Sequence, residues 1–239
     1  MFAYNILAWH YMLVYPGIMS GVFGTRFSDK GYGKRPEDAL RRVLSYLPQG
    51  SVYCLNQVHS DRIVLAEKTD MYAFPKADAI ISTNLDDVLC IQTADCLPVL
   101  ALDTKKPVMA AIHAGWRGLA KGIVKKTLIQ MQGLGASNIR VSIGPGIGPC
   151  CFDVGMDVAK AIQAPYSMQE SQCHVDLWQG AFSQAIEAGI DRHMIQGTRL
   201  CTKCNKKLFF SYRRDGDPTG RMLSLIGGQS WLLPGLRAL

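Results

Sequence analysis

The chain has 239 residues, of which 48% are apolar and 19% are charged. This balance excludes an intrinsically disordered chain, and a domain of this size buries enough surface to fold without disulfide bonds. The formal net charge is +7, but the sequence contains no long run of Lys and Arg, so we do not predict a nucleic-acid-binding surface.

The eight cysteines and the apolar N-terminal segment bear on location. Cys54 and Cys90 lie in apolar runs, a placement typical of reduced, buried thiols. The segment FAYNILAWHYMLVYPGIM is interrupted by polar residues and by Pro16-Gly17. It is too short for a membrane span and lacks the basic start and cleavage site of a signal peptide. We therefore predict one or two buried strands there, no membrane association and a cytoplasmic protein.

Hydrophobic periodicity predicts a mixture of strands and helices. In chain order these are a helix over 37–47; strands over 51–57, 62–66, 78–82, 88–93, 97–102 and 107–113; a helix over 117–132; a strand over 139–143; helices over 154–162 and 177–187; and closing strands over 208–212 and 222–226. Consecutive strands outnumber helices, which indicates an α+β fold of mixed sheets flanked by helices. No repeat or linker is evident, so residues 1–239 are predicted to form a single domain. The absence of GxGxxG and GxxxxGK[ST] leaves dinucleotide and P-loop sites without support.

Three polar residues at predicted strand ends are candidate metal ligands: His59, Cys96 and His113. Imidazole and thiolate are common zinc ligands, and a catalytic zinc takes three protein ligands and leaves a fourth position open. The spacing matches no local zinc motif. The plain alternative is a buried thiol with two hydrogen-bonded histidines.

Three further segments could carry chemistry. The pair Cys201 and Cys204 in CTKC could be half of a zinc site, a redox pair or two core thiols; the other close pair, Cys150-Cys151, is adjacent, which seldom suits one structural zinc. GPGIGPCC could bring backbone N–H groups to an anion, although a plain turn is favoured. SYRRDGDPTGR holds arginines suited to phosphate or carboxylate, although solvated turn arginines are common.

Taken together, the motifs resemble the YfiH-like family. The resemblance rests on NQVHSDRIV, ADAIIS, TADCLPVL, AAIHAGWRGLAKGIV, SIGPGIGPCCFDV, HVDLWQGAFSQAIEAGI and CTKCNKKLFFSYRRDGDPTGRM in that order, and it runs from about Pro16 to Ile226. This family was long described as multicopper polyphenol oxidoreductases or laccase domains, and is now regarded as purine nucleoside phosphorylases with adenosine deaminase activity. Its fold is a single α+β domain, similar to that of deamidating toxins with a Cys-His pair.

The resemblance implies that His59, Cys96 and His113 bind zinc, and that the substrates are a purine nucleoside and phosphate. Asp95, adjacent to Cys96, is the first candidate for proton transfer in deamination, or else a residue that orients a ligand. Arg117, Arg213 and Arg214 are candidates for binding phosphate. The segment FGTRFSDKGYGKRPEDA is shorter than in the family, which predicts a reduced pocket rim, and QVHS replaces the usual QVHG.

Three rival functions remain open from the sequence. The first is a copper-dependent polyphenol oxidase using the same three residues, although five histidines are few for a multicopper centre. The second is a metal-free hydrolase with Cys96 as nucleophile and His113 as base. The third is a binding protein without catalysis. The sequence does not decide between a monomer and a homodimer.

Overall fold

The computed structural model describes residues 12–14, 21–24, 35–44, 51–169, 172–217 and 219–227. The strands are β1 (Met12–Val14), β2 (Gly21–Gly24), β3 (Val52–Cys54), β4 (Ile63–Leu65), β5 (Ala79–Ser82), β6 (Val88–Thr93), β7 (Leu97–Asp103), β8 (Met109–Ala114), β9 (Ile139–Ile143), β10 (Asp153–Val154), β11 (Tyr166–Gln169), β12 (Gln172–Val175), β13 (Ile195–Gly197) and β14 (Met222–Gly227). The α-helices are α1 (Pro36–Leu44), α2 (Trp116–Ala120), α3 (Ile123–Gly133), α4 (Met156–Ile162), α5 (Leu177–Glu187) and α6 (Tyr212–Asp215), and short 3₁₀ turns cover Ala66–Lys68 and Arg192–Met194.

Two mixed sheets form the centre of the molecule. One has the strand order β1-β2-β14-β6-β3 and the other β13-β9-β7-β8-β5-β4, while β10-β12-β11 form a small third sheet. Parallel pairs (β3 with β6, β4 with β5, β9 with β13) occur beside antiparallel ones. The predicted α+β fold with mixed sheets is thus confirmed, whereas β2, the small sheet and β13 were not predicted.

The core is layered because the central strands are apolar on both faces. One face of the six-stranded sheet packs on α2 to α5, and its other face packs on the five-stranded sheet through side chains such as Leu100, Met109, Leu89 and Ile91. The far face of the five-stranded sheet is covered by α1. Continuous burial of β6, β7 and β8 follows from this sandwiching, since strands covered on both sides lack polar alternation.

The helix predicted over 117–132 is divided into two. Gly122 adopts a left-handed backbone with φ of 78°, and its N–H bonds back to the carbonyl of Leu119 at 2.9 Å. This is the usual way for a glycine to end a helix, and α3 begins at the next residue. Apolar periodicity alone predicts one helix because the apolar face continues across the break.

The strand predicted over 208–212 is wrong. The N–H groups of Leu208 and Phe209 both bond to the carbonyl of Asn205 at 3.0 Å, which makes a turn. Ser211 then caps α6 by accepting a hydrogen bond from the Arg214 N–H at 3.2 Å. The buried rings of Phe209 and Phe210 gave the segment a strand-like composition.

Other predicted boundaries are shifted by a few residues. α1 starts at Pro36, and residues 45–47 of that prediction lie outside the described residues. The helix predicted over 154–162 begins at Met156, because Asp153–Val154 pair with β12. Of the apolar N-terminal segment, only Met12–Val14 is described, as a strand. Within the described ranges, no helix is long and apolar enough to cross a membrane.

Gln184 joins α5 to the break between α2 and α3. Its buried side chain accepts a hydrogen bond from the Val124 N–H at 3.1 Å and donates one to the Leu119 carbonyl at 2.7 Å. Replacing it (Gln184→Ala) leaves both backbone groups buried without these partners. We expect the free energy of unfolding in urea to fall by about 2 to 4 kcal/mol.

The matched control is Gln196→Ala, since Gln196 is exposed on β13. This variant should stay within about 0.5 kcal/mol of the parent. Equal stabilities for the two variants would contradict the role of Gln184 at the helix break.

Candidate metal centre and cleft

His59, Cys96 and His113 meet where the two large sheets separate. The chain leaves the five-stranded sheet at Thr93 and enters the six-stranded sheet at Leu97, so Cys96 lies in the crossover between them. His113 is close to the end of β8, and His59 follows β3 in an exposed turn. Residues that lie 17 to 54 positions apart in the chain thus reach one site from the ends of three strands.

Strand alternation determines where His113 points. Ala110 and Ile112 of β8 pack toward the helices, whereas Met109 and Ala111 pack toward the five-stranded sheet. Because successive side chains alternate between faces, His113 continues the row of Met109 and Ala111. Its ring therefore lies on the side where the two sheets part.

The spacing of the three side chains suits a single metal ion. One ligand atom from each residue lies within 4.8 Å of the others, and Cys96 Sγ is 3.9 Å from His59 Nε2. The two imidazole rings are 4.9 Å apart at an angle of 80°. In tetrahedral zinc sites, bond lengths of 2.0 to 2.3 Å place such ligand atoms about 3.6 Å apart, so a small contraction would complete the site.

Gly115 keeps open the space beside these ligands. A Cβ at this position would lie 3.1 Å from both Cys96 Sγ and His59 Cδ2, and 3.8 Å from His113 Cε1. A larger residue would thus crowd all three ligands at once. The absence of a side chain at Gly115 is therefore consistent with a site that holds an ion between these three residues.

Asp78 is the residue that orients both histidines. Its buried carboxylate accepts a hydrogen bond from His113 Nδ1–H at 2.8 Å and from the His59 backbone N–H at 3.0 Å. The other oxygen accepts from the N–H and the hydroxyl of Ser60, at 2.6 and 2.7 Å. With Nδ1 bound to Asp78, His113 presents Nε2, the arrangement in which a carboxylate fixes a metal-binding imidazole. The serine of QVHS thus adds a hydroxyl donor to this carboxylate.

The ionisation of the site is set by mutual attraction among its groups. Burial opposes charge, but His113 and His59 nevertheless lower the pKa of the Cys96 thiol to about 6. Burial likewise opposes protonation of His113, yet Cys96 and Asp78 raise its pKa to about 9. Burial also acts against the Asp78 carboxylate, whose hydrogen bonds from His113 and Ser60 lower its pKa to about 2. At neutral pH the site therefore presents a thiolate, the form that binds metals and attacks electrophiles.

Two residues of the site have unusual backbone conformations. His59 has φ of 59° and Asp95 has φ of 94°, in the left-handed half of the map that side chains with a Cβ adopt rarely. Such conformations cluster at functional sites because the surrounding contacts impose them. Here the contacts are three backbone N–H bonds to Asp78 for the His59 turn and the hydrogen bonds of the Asp95 carboxylate for the crossover.

The Asp95 carboxylate holds two distant loops against the crossover. One oxygen accepts from the Thr202 hydroxyl at 2.6 Å, and the other accepts from the Arg213 N–H at 2.7 Å. Its carbonyl also accepts from the Ile147 N–H at 2.8 Å. Of the two roles considered for Asp95, these contacts favour orientation of the site over proton transfer.

A cleft of about 370 Å³ opens above the three ligands. Its described lining combines amide, apolar and cationic side chains, among them Asn56, Gln57, Gln92, Ile147, Phe152, Tyr212, Arg213 and Arg221. This volume and mixture are typical of small-molecule sites. Pro36 also lines the cleft, but the shortened segment before it, residues 25–34, lies outside the described residues.

Of the three arginines predicted to bind phosphate, only Arg213 lines the cleft. Arg213 lines the cleft, with its guanidinium 2.8 Å from an Asp153 oxygen and 5.5 Å from the Phe152 ring. Arg117 does not line it and stacks on the Trp116 ring at 4.3 Å. Arg214 is occupied with the carbonyls of Thr202, Lys203 and Phe209, a structural role that its place in the sequence does not reveal.

The segment GPGIGPCC acts as a connecting turn. The N–H groups of Gly144, Gly146 and Ile147 bond to carbonyls of Pro98, Leu200 and Asp95. The Gly148 N–H is directed at the Cys201 sulfur, 3.3 Å away. These donors are therefore not free for an anion, and the plain turn is the interpretation that the contacts support.

Sequence reasoning missed Asp78, Gln57 and Arg221 as site residues. Asp78 lies in ADAIIS, and a carboxylate at the start of an apolar strand could have indicated a buried, paired charge. Gln57 exchanges two hydrogen bonds of 2.8 Å with the Gln92 backbone, a contact without a local signal. Arg221 is one of the three arginines of SYRRDGDPTGR, and nothing in that segment distinguishes it from the other two.

The thiolate at Cys96 gives a direct prediction. In metal-stripped protein, alkylation of Cys96 by iodoacetamide should be half-maximal near pH 6, since its pKa is about 6 and only the thiolate reacts. The rate should fall below that pH and be suppressed by added zinc. Peptide mapping by mass spectrometry measures this.

In the same experiment Cys90 is the internal control, because a hydrogen bond with Cys54 and burial raise its pKa. His59→Ala should shift the Cys96 midpoint upward. A wild-type midpoint near the ordinary thiol value would contradict the proposed electrostatics.

Comparison with known proteins identifies the family of the chain. A family model described as multi-copper polyphenol oxidoreductase laccase matches residues 34–229. A purine nucleoside phosphorylase of Clostridium acetobutylicum is 35% identical over 197 residues, covering 79% of this chain and 82% of that protein. Purine nucleoside phosphorylase YfiH of Escherichia coli is 37% identical over 194 residues, covering 78% and 76%.

Solved structures share the fold as well. YlmD from Geobacillus stearothermophilus superposes with a TM-score of 0.79 at 28% identity, covering 89% of this chain and 93% of that one. A Neisseria meningitidis protein gives 0.76 at 30% identity, covering 91% and 98%. The chain therefore belongs to the YfiH-like, multi-copper polyphenol oxidoreductase laccase family, in which relatives from several bacteria are named purine nucleoside phosphorylases.

Proposed function

We propose that this protein is a zinc-dependent purine nucleoside phosphorylase. Its substrates would be adenosine and inosine, with methylthioadenosine as a further candidate, and adenosine deamination would be a second activity. The observation that carries the proposal is the joint presence, in one cleft, of three candidate metal ligands and two arginines, Arg213 and Arg221. Relatives 35% to 37% identical are named for this reaction.

Zinc fits the donor set of His59, Cys96 and His113. Imidazole and thiolate are both zinc ligands, and a catalytic zinc takes three protein ligands and leaves a fourth position open; Gly115 keeps space beside these three side chains. When bound, the ion supplies Lewis-acid chemistry. Asp78 would keep the His113 ring in the tautomer that exposes Nε2.

The remaining residues of the cleft would contact different parts of the substrates. Phe152 and Ile147 are buried apolar side chains in the cleft wall and offer a surface for the purine. Arg213 binds Asp153 through Nη1, so its other guanidinium donors can face phosphate, to which arginine is well matched. A phosphate oxygen would then bond to the ribose anomeric carbon as the bond to the purine nitrogen breaks, and the purine leaves with the electron pair and takes up a proton.

Deamination depends more than phosphorolysis does on a side chain that can accept and donate a proton. Asp95 is the only carboxylate among the described residues lining the cleft, and both of its oxygens accept hydrogen bonds within the protein. Phosphorolysis needs less from the protein because phosphate is already an ionised nucleophile. We therefore propose phosphorolysis as the main reaction and orientation as the role of Asp95.

One rival is favoured by a specific observation. A Cys96 thiolate next to a protonated His113 is the charge state of thiol hydrolases, so a metal-free Cys-His hydrolase is the second candidate. A copper oxidase would need more ligands, and among the described histidines only His59 and His113 lie in a group of possible metal ligands. The cytoplasmic location stays a prediction.

The proposal is tested by metal content and product analysis. The wild-type protein should contain zinc and release adenine from adenosine only when phosphate is present, with ribose 1-phosphate as the co-product. His113→Ala should lose about one zinc per chain together with the turnover, because one of three protein ligands is removed. Metal is measured by mass spectrometry and products by chromatography.

Other outcomes would overturn this assignment in distinct ways. Inosine formed from adenosine without phosphate would make deamination the main reaction. Copper with no nucleoside turnover would support the oxidase. Full turnover by metal-free protein, blocked by alkylation of Cys96, would support the thiol hydrolase.

The role of Arg213 is tested separately. Arg213→Ala should raise KM for phosphate by about 10-fold to 100-fold, because a hydrogen bond to a charged group contributes about 1.5 to 3 kcal/mol. KM for the nucleoside should change much less. Arg192→Ala is the matched control, since Arg192 is exposed and contacts the Phe182 ring; an equal rise in phosphate KM in this control would contradict the assignment.

A further inference from the structure

Four cysteines outside the cleft converge on a second point. Their four Sγ atoms lie within 4.8 Å of one another; the residues are Cys150, Cys151, Cys201 and Cys204. Cys204 Sγ is 3.7 Å from Cys150 Sγ and 3.4 Å from Cys151 Sγ. Two segments about 50 residues apart in the chain are needed to form this cluster, which we call the thiol cluster.

The backbone of both segments directs the sulfurs to this point. The N–H groups of Cys151 and Phe152 bond to the Gly148 carbonyl at 2.9 Å, and this tight turn lets the adjacent Cys150 and Cys151 project to the same side. Gly146 forms a β-bridge with Cys201. The two segments are thus fixed relative to each other by backbone hydrogen bonds as well as by the thiols.

We propose that the thiol cluster is a structural zinc site with four thiolate ligands. Tetrahedral zinc with bonds of about 2.3 Å to sulfur places its sulfurs about 3.8 Å apart, which is close to the 3.4 and 3.7 Å between Cys204 and the other two sulfurs. A tetrahedral set of four sulfurs selects zinc over hard cations. Binding releases the thiol protons and joins each sulfur to the ion, so no oxidant or reductant is required.

The surroundings of the cluster suit thiolate ligands. The Gly148 N–H lies 3.3 Å from Cys201 Sγ, and N–H donors to sulfur stabilise its charged form. Four thiolates around a divalent cation carry a net charge of about −2, and the loop that supplies Cys201 and Cys204 also contains Lys203, Lys206 and Lys207. Cys150 and Cys204 are exposed, which gives an ion access.

The cluster would stabilise one wall of the cleft. Thr202, between two of the cysteines, donates to Asp95, and Phe152 follows Cys151 directly into the cleft lining. Two segments held at one ion would keep these contacts in place. We therefore expect the ion to support thermal stability without taking part in the reaction.

The test separates the two metal sites by mutation. His59→Ala should remove the ion of the cleft and retain about one zinc per chain in the thiol cluster, whereas Cys204→Ser should do the reverse. The double variant should retain neither ion. Lys203→Ala is the matched control, because it lies between the ligand cysteines and should keep the zinc content of wild type.

Cobalt replacement identifies the ligands. In the His59→Ala protein loaded with Co²⁺, strong thiolate-to-cobalt charge-transfer absorption is expected, and it should exceed the absorption of a site with a single thiolate. This measurement does not require Cys204→Ser to fold. Thermal unfolding of His59→Ala with and without a chelator should show destabilisation on metal removal.

Three results would overturn the proposal. The first is an unchanged zinc content in Cys204→Ser. The second is an absence of thiolate absorption in cobalt-loaded His59→Ala. The third is that these cysteines are found in disulfide bonds even when the protein is purified under reducing conditions. The metal binding of the thiol cluster is measured in the His59→Ala protein, which lacks the cleft metal. This measurement therefore tests the thiol cluster even if the proposed phosphorylase activity is not found.

Discussion

The buried carboxylate of Asp78 is the group around which the cleft is arranged. It binds the His113 ring, the backbone of the turn that carries His59, and the Ser60 hydroxyl. A buried charge costs several kcal/mol of desolvation unless donors surround it, and here the donors that compensate the charge also fix the positions of two candidate metal ligands, His59 and His113. The stability of the turn and the geometry of the candidate metal centre therefore depend on one side chain.

The separation of the two sheets provides the second constraint. Their facing side chains fill the space between them along most of the strands, but the crossover at 94–96 leaves one sheet for the other and leaves room for a cleft. Asp95 maintains this crossover in an uncommon backbone conformation by accepting hydrogen bonds from Thr202 and Arg213. The position of Cys96 thus depends on loops more than 100 residues further along the chain.

These loops link the cleft to the thiol cluster. The turn over 144–151 supplies a backbone donor to Asp95 and two cysteines, and the loop over 200–204 supplies the Thr202 hydroxyl and the other two. Because the cleft and the thiol cluster share these backbone contacts, a structural change at one of them is expected to alter the geometry of the other. The proposed division of roles is chemical: the cleft ligands include two imidazoles and leave space for a substrate, whereas the cluster uses four sulfurs and leaves none.

The sequence by itself determined the α+β composition and most of the strands, and it identified three candidate ligands in the cleft through a resemblance to a family and not through spacing. Local patterns carry that information because burial and strand formation depend on near neighbours. Only the tertiary structure decided that Asp78 orients the histidines, that Arg117 and Arg214 lie outside the cleft, and that Cys150 and Cys151 meet Cys201 and Cys204. Each of these depends on contacts between residues far apart in the chain, and such contacts leave no periodic signal in the sequence.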